Sequence, residues 1–124
     1  MTDTIALAVI GGTGLYKLAT LDDVRTLDGG TIYGEPSGPL RVGRIGGHRV
    51  AFLARHGEGH SLPPHKINYR ANLQRLKDIG AQRVLAINAV GGISDHYGPR
   101  VIGCPDQIID YTWERKSTFF EGGE

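Results

Sequence analysis

Three short apolar runs, each halted by a loop of glycines and other small or polar residues, constrain this chain more than any other feature. Ile5-Ala6-Leu7-Ala8-Val9-Ile10 leads into Gly11-Gly12-Thr13-Gly14. Val50-Ala51-Phe52-Leu53-Ala54 leads into Arg55-His56-Gly57-Glu58-Gly59-His60, and Arg83–Asn88 leads into Ala89-Val90-Gly91-Gly92. A continuous apolar run, in place of alternation, suits a strand covered on both faces, as in a parallel sheet. The 19 glycines sit in pairs and clusters between the runs and read as punctuation for tight turns.

The remaining segments complete an α/β pattern. Leu40–Ile45 and His48–Ala54 are strand-like, and only Gly46-Gly47 separates them, the signal of a two-residue hairpin. Ile67–Ile79 reads as a helix with Tyr69, Leu73, Leu76 and Gly80 on one stripe and Ile79 beside it. Gly80 is its stop signal. Gln107–Tyr111 reads as a last strand, whereas residues 15–39 are mixed and carry no clear pattern. The order strand, loop, hairpin, helix, strand, loop, strand predicts an α/β fold with a mixed sheet in one domain spanning residues 1–124. The chain reaches Phe119–Glu124 without a closing element, so truncation is expected.

Composition narrows the function classes. A formal net charge of +1 gives no bulk field directed at nucleic acid or an anionic membrane. A single cysteine, Cys104, makes no internal disulfide and fits a reducing compartment. The apolar run at Ile5 is only strand-length and lacks a basic segment before it, so neither a secretory signal nor a membrane span is expected. The expected location is cytoplasmic.

The three loops carry the candidate chemistry, because ligands of α/β sheets collect beyond the carboxyl ends of strands. Gly11-Gly12-Thr13-Gly14 lets backbone N–H groups and the Thr13 hydroxyl approach an anion, although it also reads as a simple strand-ending turn. It is neither a P-loop nor a good dinucleotide fingerprint, since Lys17 stands where the third glycine belongs. Arg55 offers a fixed cationic fork to phosphate oxygens, and His56 can donate to the same oxygens. His56, Glu58, His60 and His65 also have the composition of a metal site, but Gly57 and Gly59 break the helix that the His56/His60 spacing needs. No metal is expected. Asn88–Gly92 reads either as a tight turn or as a flat floor for a ligand. Tyr69 and Asn72 read as core or helix-surface residues, His48 and His96 as surface or turn residues, and Asp106, Asp110 and Glu114 as exposed or structural acids.

Taken in order, Val9–Gly14, Leu53–Gly57, Pro64-His65-Lys66-Ile67-Asn68-Tyr69-Arg70-Ala71-Asn72 and Asn88–Gly92 resemble successive signatures of the trimeric purine nucleoside phosphorylases. The branch they resemble is that of the methylthioadenosine and methylthioinosine phosphorylases, and the likeness covers essentially the whole chain as an N-terminal half. The resemblance implies a phosphorylase-type mixed β-sheet flanked by helices. It implies a pentosyltransferase of purine salvage: a purine nucleoside, such as S-methyl-5'-thioinosine or 5'-methylthioadenosine, reacts with inorganic phosphate to give free purine and (5-methylthio)ribose 1-phosphate.

By the same resemblance Thr13, Arg55, His56, Asn88 and Ala89 bind phosphate. Ala89, Val90 and Gly91 border the purine, and His60 lies on the sugar or subunit side. Inorganic phosphate is a co-substrate, no cofactor is implied, and the complete protein is expected to be a homotrimer. The acid or amide that assists purine departure is expected beyond Glu124, so the isolated chain is expected to be inactive. Arg100-Val101 departs from the family's Gly-Asp at that turn. The alternative is a non-catalytic anion- or nucleoside-binding fragment. A nucleotide-binding oxidoreductase domain fits worse, because the glycine fingerprint is broken.

Overall fold

The computed structural model describes residues 4–12 and 21–123. Five strands and one α-helix form in the order β1 (Leu7–Gly11), β2 (Asp22–Leu27), β3 (Leu40–Ile45), β4 (His48–Ala54), α1 (Tyr69–Asp78) and β5 (Val84–Ile87). A short 3-10 turn, Pro64–Lys66, precedes α1. The strands lie side by side as β2-β3-β4-β1-β5. β1 is parallel to both β4 and β5, while β2, β3 and β4 pair antiparallel, so the sheet is mixed as expected.

Alternate residues of the central strands feed two cores. Ala8, Ile10, Leu40, Val42, Ala51 and Leu53 pack with Leu76 of α1, joined by the flanking Leu27, Ile79 and Ala81. Val9, Val50 and Phe52 form the second cluster with Leu7 and Leu21. Both parities of β1 and β4 are therefore buried, which is why these runs are continuous in sequence. Complete burial of Leu76 is worth about 1.5–3 kcal/mol against leaving it exposed.

Local chemistry sets the element ends. Gly46 and Gly47 take φ values of 54° and 82°, the two left-handed residues that a tight β3–β4 hairpin requires. The Asn68 side chain caps α1 by accepting from the Ala71 N–H at 3.1 Å. At the other end Gly80 N–H donates to the Lys77 carbonyl and Ala81 N–H to the Leu76 carbonyl, the double closure of a Schellman motif.

Four expectations need correction. α1 buries Ala71, Asn72 and Leu76, whereas Leu73 is 43% exposed, so the buried stripe is rotated from the one the apolar residues trace. The reason is polar: Asn72 Oδ1 accepts from Ser37 N–H at 2.7 Å, and its Nδ2 donates to Ser37 Oγ at 2.9 Å. The unreadable segment holds β2, an exposed edge strand with a bulge between Asp22 and Arg25. β5 forms, but its side chains are exposed, not buried, because it pairs with β1 alone and no further strand or helix follows among the described residues.

The fourth correction concerns Gln107–Tyr111, which is not a strand; Ile108, Ile109 and Tyr111 stand open. Asp110 instead accepts from the Thr112 N–H at 2.9 Å and hydroxyl at 2.6 Å, a local turn that competes with strand pairing. Those bonds, the hydroxyl first, hold its carboxyl below the ordinary value.

Residues 88–123 contain no helix or strand, yet their end is tethered. Arg70 Nη1 donates to the Thr118 carbonyl at 3.1 Å and to Glu121 Oε1 at 2.8 Å, and its guanidinium lies 5.0 Å from the centre of the Tyr33 ring. Tyr33 meets Phe119 edge-on. The hydrogen bond from Arg70, then the charge of Lys116, holds the Glu121 carboxyl below its ordinary value. The tether is thus complete above the unfolded carboxylate range and is lost as pH falls through the lowered value.

Two measurements check this account. Asn72→Ala leaves the Ser37 N–H and hydroxyl buried without partners and should cost about 2–3 kcal/mol in urea unfolding. Acidification below about pH 4 should release Phe119 from Tyr33 before the sheet unfolds, seen as early loss of their mutual nuclear Overhauser contacts.

Candidate functional site

Parallel pairing brings the three candidate loops to one edge of the sheet. Gly11 lies in register with Ala54 on one side and with Ile87 on the other. The next residues of all three strands therefore emerge together: Gly12 from β1, Arg55 from β4 and Asn88 from β5. Arg55 N–H continues the ladder by donating to the Gly11 carbonyl at 2.9 Å.

The Arg55 side chain then crosses the central strand end. Its Nη1 donates to the Ile87 carbonyl at 3.4 Å, and the guanidinium lies over Gly12. A methyl group at Gly12 would collide with Arg55 Nη2 and stand 3.4 Å from the Ile87 carbonyl oxygen. Glycine is needed here for close approach. A partly buried, planar, permanently charged fork is thus held across three strand ends, with donors left for an anion.

His56 is fixed from the other side. Its Nδ1 is 2.9 Å from the Leu62 carbonyl oxygen. The loop folds back through Gly57, Gly59 and the left-handed His60 (φ 58°), so that the His60 ring lies 4.6 Å from that of His56, tilted by 35°. Glu58 leans away to Arg41 of β3, Nε to Oε1 3.7 Å. This surface pair keeps the loop's carboxylate engaged with another cation.

The expected site residues fall into three groups. Arg55 meets Gly12 and the end of β5, and His56 meets His60. Asn88, Ala89, Val90 and Gly91 start where β5 stops and are exposed, Val90 at 84%. Thr13 lies outside the described residues. Tyr69 Oη donates to the Pro64 carbonyl, and Asn72 is engaged with Ser37. No group of three metal-ligating side chains gathers among the described residues. No described helix is long and apolar enough to cross a membrane. Sequence reading missed the Gly12 resting place and the Leu62 carbonyl; the latter is a backbone atom, and no side-chain identity signals it.

The fold is an α/β protein with a mixed sheet, and its Arg55 and His56 side chains stand at the carboxyl ends of parallel strands, where such sheets collect ligands. The chain belongs to the phosphorylase superfamily, whose profile matches residues 6–123. It is 71% identical over 120 residues to "Probable S-methyl-5'-thioinosine phosphorylase" of Xanthomonas campestris pv. campestris, covering 97% of this chain and 48% of that protein. It is 51% identical to S-methyl-5'-thioadenosine phosphorylase of Hyperthermus butylicus, covering 94% of this chain and 43% of the relative. The structure of methylthioadenosine phosphorylase from Schistosoma mansoni superposes with a TM-score of 0.72 at 36% identity, over 77% of this chain and 34% of that one. The chain thus spans about half or less of the length of these relatives.

Gly12→Ala should push the guanidinium off its rest without touching its charge. Sulfate or phosphate affinity, measured by calorimetry, should fall at least about tenfold, or about 1.4 kcal/mol, while the fold measured by circular dichroism stays intact.

Proposed function

We propose that this chain is the phosphate-holding half of a nucleoside phosphorylase domain. That domain transfers the pentosyl group of a purine nucleoside, S-methyl-5'-thioinosine or 5'-methylthioadenosine, to inorganic phosphate. The observation that carries this reading is the Arg55 guanidinium held over Gly12 at three flush strand ends. The 71% identical relative supports the choice of nucleoside.

In this reading Arg55, His56 and Thr13 grip phosphate, and the backbone at Ala89 with Asn88 closes its other side. Ala89, Val90 and Gly91 border the purine, and His60 faces the sugar. A phosphate oxygen attacks the anomeric carbon as the bond from that carbon to the purine nitrogen breaks. The purine leaves with the bonding electrons and is protonated. Positive charge develops on the sugar, so an anion held beneath it is both the nucleophile and the electrostatic partner of the transition state. The chemistry calls for no metal or organic cofactor. The complete protein is read as a cytoplasmic homotrimer without nucleic-acid or membrane partners.

A second reading applies to the chain by itself: an anion-binding fragment without turnover. It is favoured by the share of each relative that the chain spans, 48% for the Xanthomonas protein. The group that assists purine departure is assigned to the other half.

The test joins residues 1–124 to the remaining half of the Xanthomonas relative. The chimaera should release free purine from S-methyl-5'-thioinosine only when phosphate is present, with or without a metal chelator. Arg55→Ala should raise the phosphate KM and lower kcat/KM by about 100-fold or more, the loss of a charge-assisted contact of about 3 kcal/mol. Purine release without phosphate, or an unchanged phosphate saturation curve in the variant, would count against the assignment. The isolated chain should bind anion and show no measurable turnover.

A further inference from the structure

We infer that the Leu62 carbonyl locks the tautomer of His56, so that a fully ionised oxyanion binds this site together with one proton taken up by the imidazole ring. The inference rests on the reading of this loop as a phosphate site and adds the protonation state in which it works.

A backbone carbonyl can only accept a hydrogen bond. The nitrogen 2.9 Å from the Leu62 oxygen, Nδ1, is therefore the one that carries hydrogen in the neutral ring. Neutral His56 then presents a bare lone pair at Nε2. That lone pair repels an oxyanion, and Nε2 becomes a donor only by taking a proton from solvent, which leaves an imidazolium with both nitrogens donating. No other bond is made or broken.

The lock is built into the loop. His56 N–H is followed by a turn in which Leu62 N–H donates back to the His56 carbonyl at 2.9 Å, so Leu62 and His56 are tied at both backbone and ring. A ring flip would exchange that bond for a carbon facing the carbonyl oxygen.

The charged and titratable groups around the ring set the sign of the effect. Arg55 precedes it and crosses to β5, and the His60 ring is stacked on it, so both neighbours add positive charge or none. The loop's one carboxylate, Glu58, is drawn to Arg41. Among the described residues packed around the loop, Ser37, Gly38 and Leu62 bring no charge. The incoming anion supplies the charge opposite to an imidazolium at His56. By linkage, affinity for a fixed dianion should weaken as pH rises.

Sulfate is the probe, because it stays a dianion near neutrality and cannot carry the proton itself. Sulfate binding by the 124-residue chain is measured by calorimetry in buffers of different ionisation enthalpy. The expected result is uptake of close to one proton per sulfate at about pH 8, with affinity falling about tenfold per unit of pH on the alkaline side. His56→Gln places an amide N–H near the Nε2 position without a titrating group. Its sulfate binding should show no proton uptake from the ring and a flat pH profile.

Nitrogen-15 spectra of the sulfate-free chain at about pH 8 should show hydrogen on His56 Nδ1 and none on Nε2. Hydrogen on Nε2 in that neutral ring overturns the lock. Sulfate binding without proton uptake overturns the linkage and leaves the phosphate-site reading standing. Absence of any sulfate binding overturns both.

Discussion

The parallel pairing of β1 between β4 and β5 is the constraint on which the rest of the site depends. Because Gly11 is in register with Ala54 and Ile87 at once, the three loops leave the sheet at one level. Slipping one strand by a residue would turn its side chains to the other face and take its loop out of line. The pairing is secured by apolar packing and not by the loops themselves: Ala8, Val9, Ala51, Phe52 and Leu53 are all buried at 8% exposure or less. The polar, glycine-rich residues at the strand ends are thereby free to be chosen for chemistry.

That division explains how much of the molecule was legible in its sequence. The runs that pack on both faces announced β1 and β4, the Gly-Gly pair announced the hairpin, and Gly80 announced the end of α1. β2 was illegible because an exposed, bulged edge strand of Asp-Asp-Val-Arg-Thr-Leu needs neither apolar continuity nor alternation. The face of α1 was misread because its anchor is an amide. Asn72 at 2% exposure is more buried than Leu73, and a pattern that counts only apolar residues turns the helix the wrong way. The apolar run at β5 read as a buried strand and Gln107–Tyr111 as a last strand. Burial needs a partner, and none of the described elements covers them.

The candidate site divides along the same line. Arg55 and His56 stood out in the sequence because a guanidinium and an imidazole follow directly on a buried run. What holds them was not legible: a carbonyl at Ile87, a carbonyl at Leu62 and the absence of a side chain at Gly12. Backbone acceptors have no sequence identity. They become visible only when the fold has brought distant residues into contact, as with Arg55 and Ile87, 32 positions apart. A guanidinium positioned by one carbonyl keeps its remaining N–H groups for other acceptors.

The two halves of the described chain differ in how they are held. Residues up to β5 are locked by sheet register, two apolar clusters and the Asn72–Ser37 pair. Residues 88–123 expose Val90, Ile93, Ile102, Ile108, Tyr111 and Trp113, so the stretch assigned to the purine is not held by packing of its own. In the proposed function anion affinity rests on the first part, where Arg55 and His56 are both anchored. Phosphorolysis needs the nucleoside held against that anion to within a fraction of an ångström. In the proposed function, an anion grip ordered in this way beside an uncovered loop at 88–91 accounts for binding without turnover, and catalysis requires those residues to be fixed against the grip.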